Sequence, residues 1–160
     1  MENEQKIKEA MSPEKSKIHK ILAESYLSMF LFFLAGVYLD SFFSFKKINN
    51  LYLTILGVLM LLFGTFLIYW SQSTNRHLSK ENLSENTFKK GPYRYSRNPT
   101  HWGLFLIVLG FGLATGSLFL AVVSIVAFLI SKIFFLQREE GLLEKKYGTP
   151  YIKYKKSVRF

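Results

Sequence analysis

The chain has no cysteine, four prolines and few acidic residues, with 11 Asp and Glu against 21 Lys and Arg among 160 residues. The absence of cysteine excludes disulfide bonds, thiolate metal ligands and a cysteine nucleophile. The histidines at positions 19, 77 and 101 are too scattered to suggest a metal site on their own. The first 20 residues are highly charged and lack an apolar core, so no signal peptide is expected.

Charge is also nearly absent from three long stretches. Residues 25–45 hold one acid, residues 49–72 hold no charge, and residues 101–137 hold one lysine. Each stretch can cross a bilayer core of ~30 Å, which takes roughly 20 residues. The third is too long for one crossing, and the Thr-Gly-Ser sequence at 115–117 is typical of a turn. The sequence therefore predicts an all-α integral membrane protein with four transmembrane helices, the last two forming a hairpin.

The basic residues indicate how these helices are oriented. Residues 1–24, 71–100 and 132–160 carry five, six and eight of the 21 Lys and Arg. With four crossings these segments share one side of the membrane, which the positive-inside rule places in the cytoplasm. We therefore expect a protein of the inner (cytoplasmic) membrane with both termini in the cytoplasm. The same charges suit anionic membrane lipids, so they do not indicate a nucleic-acid partner.

A single membrane domain, residues 1–160, is expected. Its predicted parts are an N-terminal segment (1–23), two transmembrane helices (24–71), a cytoplasmic loop (72–99), a transmembrane hairpin (100–137) and short C-terminal helices (138–160). Local signals predict the helix bounds: a helix from the N-cap pair Ser12-Pro13, Glu24–Phe45, Leu51–Ser71, a turn around 80–86, Thr100–Ala114, Ser117–Gln137, its continuation to Tyr147, and Tyr151–Lys156. Gly148 is expected to end the long helix, and Gly110-Phe111-Gly112 is expected to serve helix packing.

A cluster of charged and aromatic residues precedes the hairpin, in the sequence Gly-Pro-Tyr-Arg-Tyr-Ser-Arg-Asn-Pro at 91–99. Pro92 and Pro99 frame it, and each fixes its own φ and disfavours helix at the residue before it. A shaped loop is expected, with the next helix beginning at Pro99 or just after it. The N–H groups at that helix start would suit an anion. The simpler interpretation is an interfacial belt of Tyr, Trp and Arg at headgroup level.

A second cluster, Arg138-Glu139-Glu140, follows the hairpin. Adjacent residues on a helix point about 100° apart, so at most one of the two acids faces the hairpin. The simpler interpretation is an ion pair of an acid with Arg97 or Lys145 on a solvated helix face.

Together the two clusters resemble the isoprenylcysteine carboxyl methyltransferase and phospholipid methyltransferase superfamily, in its bacterial-type integral membrane form. The first cluster follows the family's pattern from Gly91 to Gly103, and the second follows it from Glu139 through Tyr154. The resemblance covers residues 88–159. Asn98 stands where many members have His, and position 101 has His where Tyr is usual.

The resemblance implies a methyltransferase that uses S-adenosylmethionine, bound between the hairpin and the C-terminal helices. Arg94 or Arg97 would hold the carboxylate of the cofactor by a forked contact. Glu139 or Glu140 would bind its ammonium or a ribose hydroxyl. Trp102 or a tyrosine would contact its sulfonium or adenine. The implied cofactor-binding residues are Tyr93, Arg94, Tyr95, Arg97, Asn98, Pro99, His101, Glu139 and Glu140. The implied catalytic residues are Arg97, Glu140 and His101.

The expected acceptor is a lipophilic small molecule or a lipidated substrate that enters from the membrane. Two other functions stay open. One is an NADPH-dependent membrane reductase of related fold. The other is a non-catalytic membrane module that binds lipid or a partner protein. No metal is expected, and the sequence does not predict an oligomeric state.

Overall fold

A computed structural model of the chain describes residues 2–43, 48–76 and 85–158. Its elements are α1 (Glu2–Phe43), α2 (Leu51–Arg76), α3 (Glu85–Phe88), a 3₁₀ turn (Gly91–Arg94), α4 (Pro99–Thr115), α5 (Leu118–Ser131), a π-helical segment (Lys132–Leu136), α6 (Gln137–Tyr147) and α7 (Thr149–Ser157). All regular structure in these described ranges is helical, which confirms the all-α prediction.

Three helical stretches of the described chain are long and apolar enough to cross a membrane: Lys20–Phe43, Leu51–Thr74 and Leu118–Tyr147. Many of their large apolar side chains are exposed, as contact with lipid requires. The chain is therefore an integral membrane protein. α4 is equally apolar, but its 17 residues measure only about 25 Å at 1.5 Å per residue. The fourth crossing stays a prediction.

The N-terminal helix differs from the expected one. Ser12 and Pro13 do not begin a helix, because α1 runs through both of them from Glu2 to Phe43. The surrounding Glu, Lys, Ala and Met are strong helix formers, and they outweigh the local capping signal. The expected first membrane helix is thus the second half of one longer helix, and its expected end at Phe45 lies outside the described residues. The expected turn around 80–86 lies mostly outside them too, and α3 begins at Glu85.

The turn of the hairpin and the end of the long helix are as predicted. Gly116 adopts φ 69°, a left-handed conformation that glycine tolerates, and the Ser117 side chain accepts a hydrogen bond from the N–H of Leu120 at 3.2 Å. α6 ends at Gly148, whose N–H donates to the carbonyl of Glu144 at 2.8 Å. The π-helical segment between α5 and α6 carries no signal in the sequence.

The membrane helices pack in antiparallel pairs. Ser25 Oγ of α1 lies 3.0 Å from Ser131 Oγ at the end of α5. Gly36, further along α1, lies against Leu120 near the start of α5, so the two helices are antiparallel. α5 also packs against α4, and α4 against α2. The start of α4 and the end of α5 therefore lie at the same end of the protein.

Glycines let α2 and α4 approach closely. Gly57 faces Gly110, and Gly64 faces Gly103, at matching seven-residue intervals. A Cβ atom on Gly57 would lie 2.5 Å from the carbonyl oxygen of Gly110, and one on Gly64 would lie 2.7 Å from that of Gly103. Only glycine permits this spacing of the two backbones, which confirms the packing role expected for Gly110.

We expect Gly64→Ala to lower the free energy of unfolding by about 1–3 kcal/mol, the usual cost of overpacking. The added methyl group would meet a backbone oxygen, which cannot move aside as a side chain could. Thermal unfolding in detergent checks this. Gly141→Ala is the matched control, because a Cβ atom there meets nothing within 4 Å. Equal stability of the two variants would contradict the prediction.

Candidate functional site

The segment 91–99 is tied down at both ends. It forms the 3₁₀ turn and a bend, and α4 then begins at Pro99, as predicted. Ser71 at the end of α2 connects the two ends, because its Oγ lies 2.8 Å from Tyr93 Oη and 2.9 Å from Thr100 Oγ1. Both ends of the segment are therefore fixed by contacts within the protein.

α7 holds the same segment from the other side. The Tyr154 hydroxyl donates to the backbone carbonyl of Tyr93 at 2.8 Å. Tyr151 and Tyr154 are buried, and they pack with Tyr147 around the ring of Phe88. Burial raises the pKa of both Tyr151 and Tyr154, so each keeps its proton across the physiological range. This aromatic cluster fixes α7 beside the segment.

A cavity of about 390 Å³ lies between segment 91–99, α4, α5, the π-helical segment, α6 and α7. Its volume falls within the roughly 300–1,000 Å³ typical of small-molecule sites. Five of the sequence candidates are among the lining residues, which are Ser96, Arg97, Asn98, His101, Trp102, Phe128, Lys132, Leu136, Gln137, Glu140 and Lys155.

Two acids and two cations meet at one end of this cavity. Arg97 Nη1 lies 3.0 Å from Glu140 Oε1, and Lys155 Nζ lies 3.0 Å from Glu140 Oε2. Lys155 also donates to Glu144 Oε1 at 2.6 Å. These hydrogen bonds, first to Glu144 and then to Glu140, raise the pKa of Lys155. The four charges balance, and we call this group the ion cluster.

Of the two adjacent acids Glu139 and Glu140, the one that belongs to the ion cluster is Glu140. Glu140 is 8% exposed and lines the cavity, whereas Glu139 is half-buried and outside the lining. The predicted pair of an acid with Arg97 is confirmed, but its position differs from the expected one. The side chains of Arg97 and Glu140 are only 19% and 11% exposed, so the pair is not on a solvated face.

A chain of buried polar groups lies beside the cavity. His101 is 2% exposed, and its Nε2 lies 2.8 Å from Ser25 Oγ, which lies 3.0 Å from Ser131 Oγ. Buried polar atoms require such partners, so these hydrogen bonds fix the imidazole ring. The same hydrogen bonds connect α1, α4 and α5. The sequence reasoning missed both serines, whose only signal is a hydroxyl group within an apolar stretch.

Two aromatic rings, Trp102 and Phe128, line the cavity away from the ion cluster, because Phe128 precedes Glu140 by 12 residues, about 18 Å, along the same continuous helix. We call these rings, with Phe105 behind them, the aromatic wall. The ring centroids of Trp102 and Phe128 are 4.7 Å apart, and those of Phe105 and Phe128 are also 4.7 Å apart. Leu136 adds an aliphatic side chain, and Lys132 is an exposed cation at the edge of this wall. The cavity thus has a charged end and an apolar end.

The other sequence candidates lie outside the cavity lining described above. Tyr93 packs against the aromatic cluster, Arg94 and Tyr95 are exposed, and Pro99 is buried as the first residue of α4. Lys155 is the lining residue that sequence reasoning missed most clearly, since a lysine among lysines carries no signal. Within the described parts of the chain, no group of three or more His, Asp or Glu residues could hold a metal ion.

A protein-family model described as phospholipid methyltransferase matches residues 52–150. The match covers more than half of the chain and includes Arg97, His101 and Glu140, whereas Ser25 and Lys155 lie outside it. No curated protein and no solved structure matches the chain.

Proposed function

Because the chain belongs to the phospholipid methyltransferase family of membrane methyltransferases, we propose that it transfers a methyl group from S-adenosylmethionine to an amphiphilic, isoprenoid or lipid-like acceptor. The observation that carries this proposal is the two-ended cavity, with the ion cluster at one end and the aromatic wall at the other. We place the cavity at the cytoplasmic surface and propose four crossings, because 19 of the 21 basic residues then share that side.

S-adenosylmethionine supplies an activated methyl group, and the ion cluster suits its amino-acid end. The carboxylate of such a ligand can pair with a cation of the cluster, and its ammonium can pair with an acid. The net charge of the site then stays the same. Arg97 offers a forked contact to the carboxylate, with Lys155 as a second cation, and Glu140 accepts the ammonium or a ribose hydroxyl. Trp102 offers a ring face to the sulfonium or the adenine. Tyr93 and Pro99, by contrast, position the segment.

Methyl transfer is an in-line displacement, so the main task of the residues is to align the nucleophile, the methyl carbon and the sulfur. The aromatic wall would hold the lipophilic part of the acceptor and exclude water from the reacting groups. If the nucleophile is an amine or a thiol, a base must take its proton. His101 is the stronger candidate for this base, because both oxygens of Glu140 are already engaged by cations.

Calorimetric titration of the detergent-purified protein with S-adenosylmethionine, S-adenosylhomocysteine and NADPH tests the proposal. We expect saturable binding of the two adenosyl compounds and none of NADPH. Binding of NADPH alone would assign the protein to the reductase alternative. Binding of none of the three by a folded sample would favour a non-catalytic module.

We expect Arg97→Ala to weaken S-adenosylmethionine binding by at least ~1.5 kcal/mol, or about tenfold, the lower range for hydrogen bonds to charged groups. Arg94→Ala is the matched control, because Arg94 is an exposed arginine of the same segment outside the cavity lining. Unchanged affinity of the Arg97 variant would remove its role as the carboxylate clamp. An equal loss in both variants would indicate general charge attraction instead.

A further inference from the structure

A second concave site lies on the other side of α6, between α6 and α1. It is a groove of about 450 Å³ lined by Lys20, Ile21, Glu24, Arg138, Gly141, Leu142 and Lys145. The proposed methyl transfer uses none of these residues. We call it the α1–α6 groove.

The groove is separate from the cavity because α6 presents different faces to the two sites. Arg138, Gly141 and Lys145 follow a spacing of three and four residues, which places them on one helical face. Glu140 and Glu144 share another face, which carries the ion cluster. α6 therefore separates the ion cluster from the α1–α6 groove.

The charges of the groove favour an anion. Lys20 comes from α1, and Arg138 and Lys145 come from α6. Among the lining residues that the structure describes, three cations on two helices thus accompany a single acid, Glu24. All four side-chain positions are exposed. The floor between the cations is apolar, with Ile21 and Leu142 half-buried. A ligand that suits this groove is anionic at one end and apolar next to it.

The groove also lies at the level of lipid headgroups. The apolar span of α1 begins at Lys20. Since α1 runs antiparallel to the α5–α6 helix and Ser25 contacts Ser131, residue 20 lies opposite the region of Arg138. Lys and Arg at this depth attract anionic lipids.

Free space lies beside Gly141 in this groove, because a Cβ atom built there meets nothing within 4 Å. We propose that the α1–α6 groove binds the phosphate headgroup of an anionic phospholipid of the surrounding membrane, with Lys20, Arg138 and Lys145 around the phosphate and Ile21 and Leu142 under the glycerol and upper acyl chain. This site stands apart from the methyl-transfer proposal, since lipid binding alone reports on it.

The test is native mass spectrometry of the detergent-purified full chain, titrated with dioleoylphosphatidylglycerol or dioleoylphosphatidylcholine. We expect the anionic lipid to bind at least fivefold more tightly than the zwitterionic one. Arg138→Gln with Lys145→Gln should weaken phosphatidylglycerol binding by about tenfold or more, given the attraction of each cation near the surface. The control, Lys153→Gln with Lys156→Gln, removes the same charge from exposed positions of α7 and should change affinity less than twofold.

A steric variant separates the groove from general charge attraction. Gly141→Leu fills the groove without changing charge, and leucine favours helix over glycine, so the variant should fold. It should weaken phosphatidylglycerol binding at least fivefold, whereas Gly141→Ala should leave it within twofold.

Four results would overturn the proposal. If the α6 double variant and the α7 control lost equal affinity for phosphatidylglycerol, the attraction would be diffuse. If Gly141→Leu bound phosphatidylglycerol with unchanged affinity, the lipid would bind elsewhere. Equal affinity for the two lipids would make the contact purely apolar. Displacement of the lipid by an equal concentration of free glycerol phosphate would assign a soluble phosphate in place of a lipid.

Discussion

Glu140→Ala is expected to lower the affinity for S-adenosylmethionine by roughly one to two orders of magnitude, since a hydrogen bond to a charged group contributes about 1.5–3 kcal/mol. It is also expected to lower the free energy of unfolding by about 1–3 kcal/mol, the usual cost of removing one partner of a buried hydrogen bond. The reason is that Glu140 joins Arg97 and Lys155 at 3.0 Å while only 8% exposed. Calorimetry and thermal unfolding in detergent measure the two effects.

The neighbouring acid supplies the matched control. Glu139→Ala removes the same carboxyl group one residue away, from a side chain that does not line the cavity. It should change the affinity less than threefold. If Glu139→Ala lost as much affinity as Glu140→Ala, the assignment of the cofactor contact to Glu140 would be wrong.

A double variant separates the structural role of the ion pair from its role in binding. Replacing Arg97 with Met and Glu140 with Leu removes both partners, and replacing a buried pair with apolar side chains is often neutral or stabilising. Lys155 keeps Glu144 as its partner. The double variant should therefore recover stability lost in Glu140→Ala but still fail to bind S-adenosylmethionine. Binding of S-adenosylmethionine by the double variant at the unaltered protein's affinity would show that the Arg97–Glu140 pair does not contact the cofactor.

His101→Phe is expected to lower the rate of methyl transfer by about 10²–10⁴-fold, the usual contribution of general acid–base catalysis, if the acceptor gives up a proton. His101 lines the cavity and is held by Ser25 at 2.8 Å, so the ring is fixed for such a role. Affinity for S-adenosylmethionine should change less than threefold. The measurement is transfer of a radiolabelled methyl group into lipid extracts at neutral pH.

Two variants distinguish a base from a merely structural residue. His101→Phe keeps an aromatic ring but removes the nitrogen that would accept the proton, so it should lose the rate while S-adenosylmethionine still binds. Ser25→Ala, which keeps the imidazole but removes its partner, should lower the rate less. A full rate in His101→Phe would exclude His101 as the base and point to a carboxylate acceptor, which needs none.

Helix ends with a local signal were predicted well. Pro99 at the start of α4, Gly116 and Ser117 in the hairpin, and Gly148 after α6 each act through their own backbone or side-chain geometry. The start of α1 was predicted wrongly, because helix formation is cooperative and flanking residues outweighed one capping pair. The π-helical segment could not be predicted from its apolar residues.

The candidate site divides in the same way. Arg97, Asn98, His101, Trp102 and Glu140 were identified through their resemblance to family motifs, and the structure brings them into one cavity lining. Ser25, Ser131 and Lys155 were missed, because their partners are 11 to 106 residues away and no local pattern marks them.

The sequence by itself determined that this chain is a helical membrane protein with charged clusters flanking its apolar spans. Transfer of an apolar stretch from water into lipid depends on its length and composition, both of which are local properties. The tertiary structure decided which charged residues meet. Helix phase directs Glu140 and not Glu139 into the cavity lining, and packing of α7 against Phe88 brings Lys155 to Glu140. These outcomes depend on how separate helices pack, and packing is a property of the whole chain.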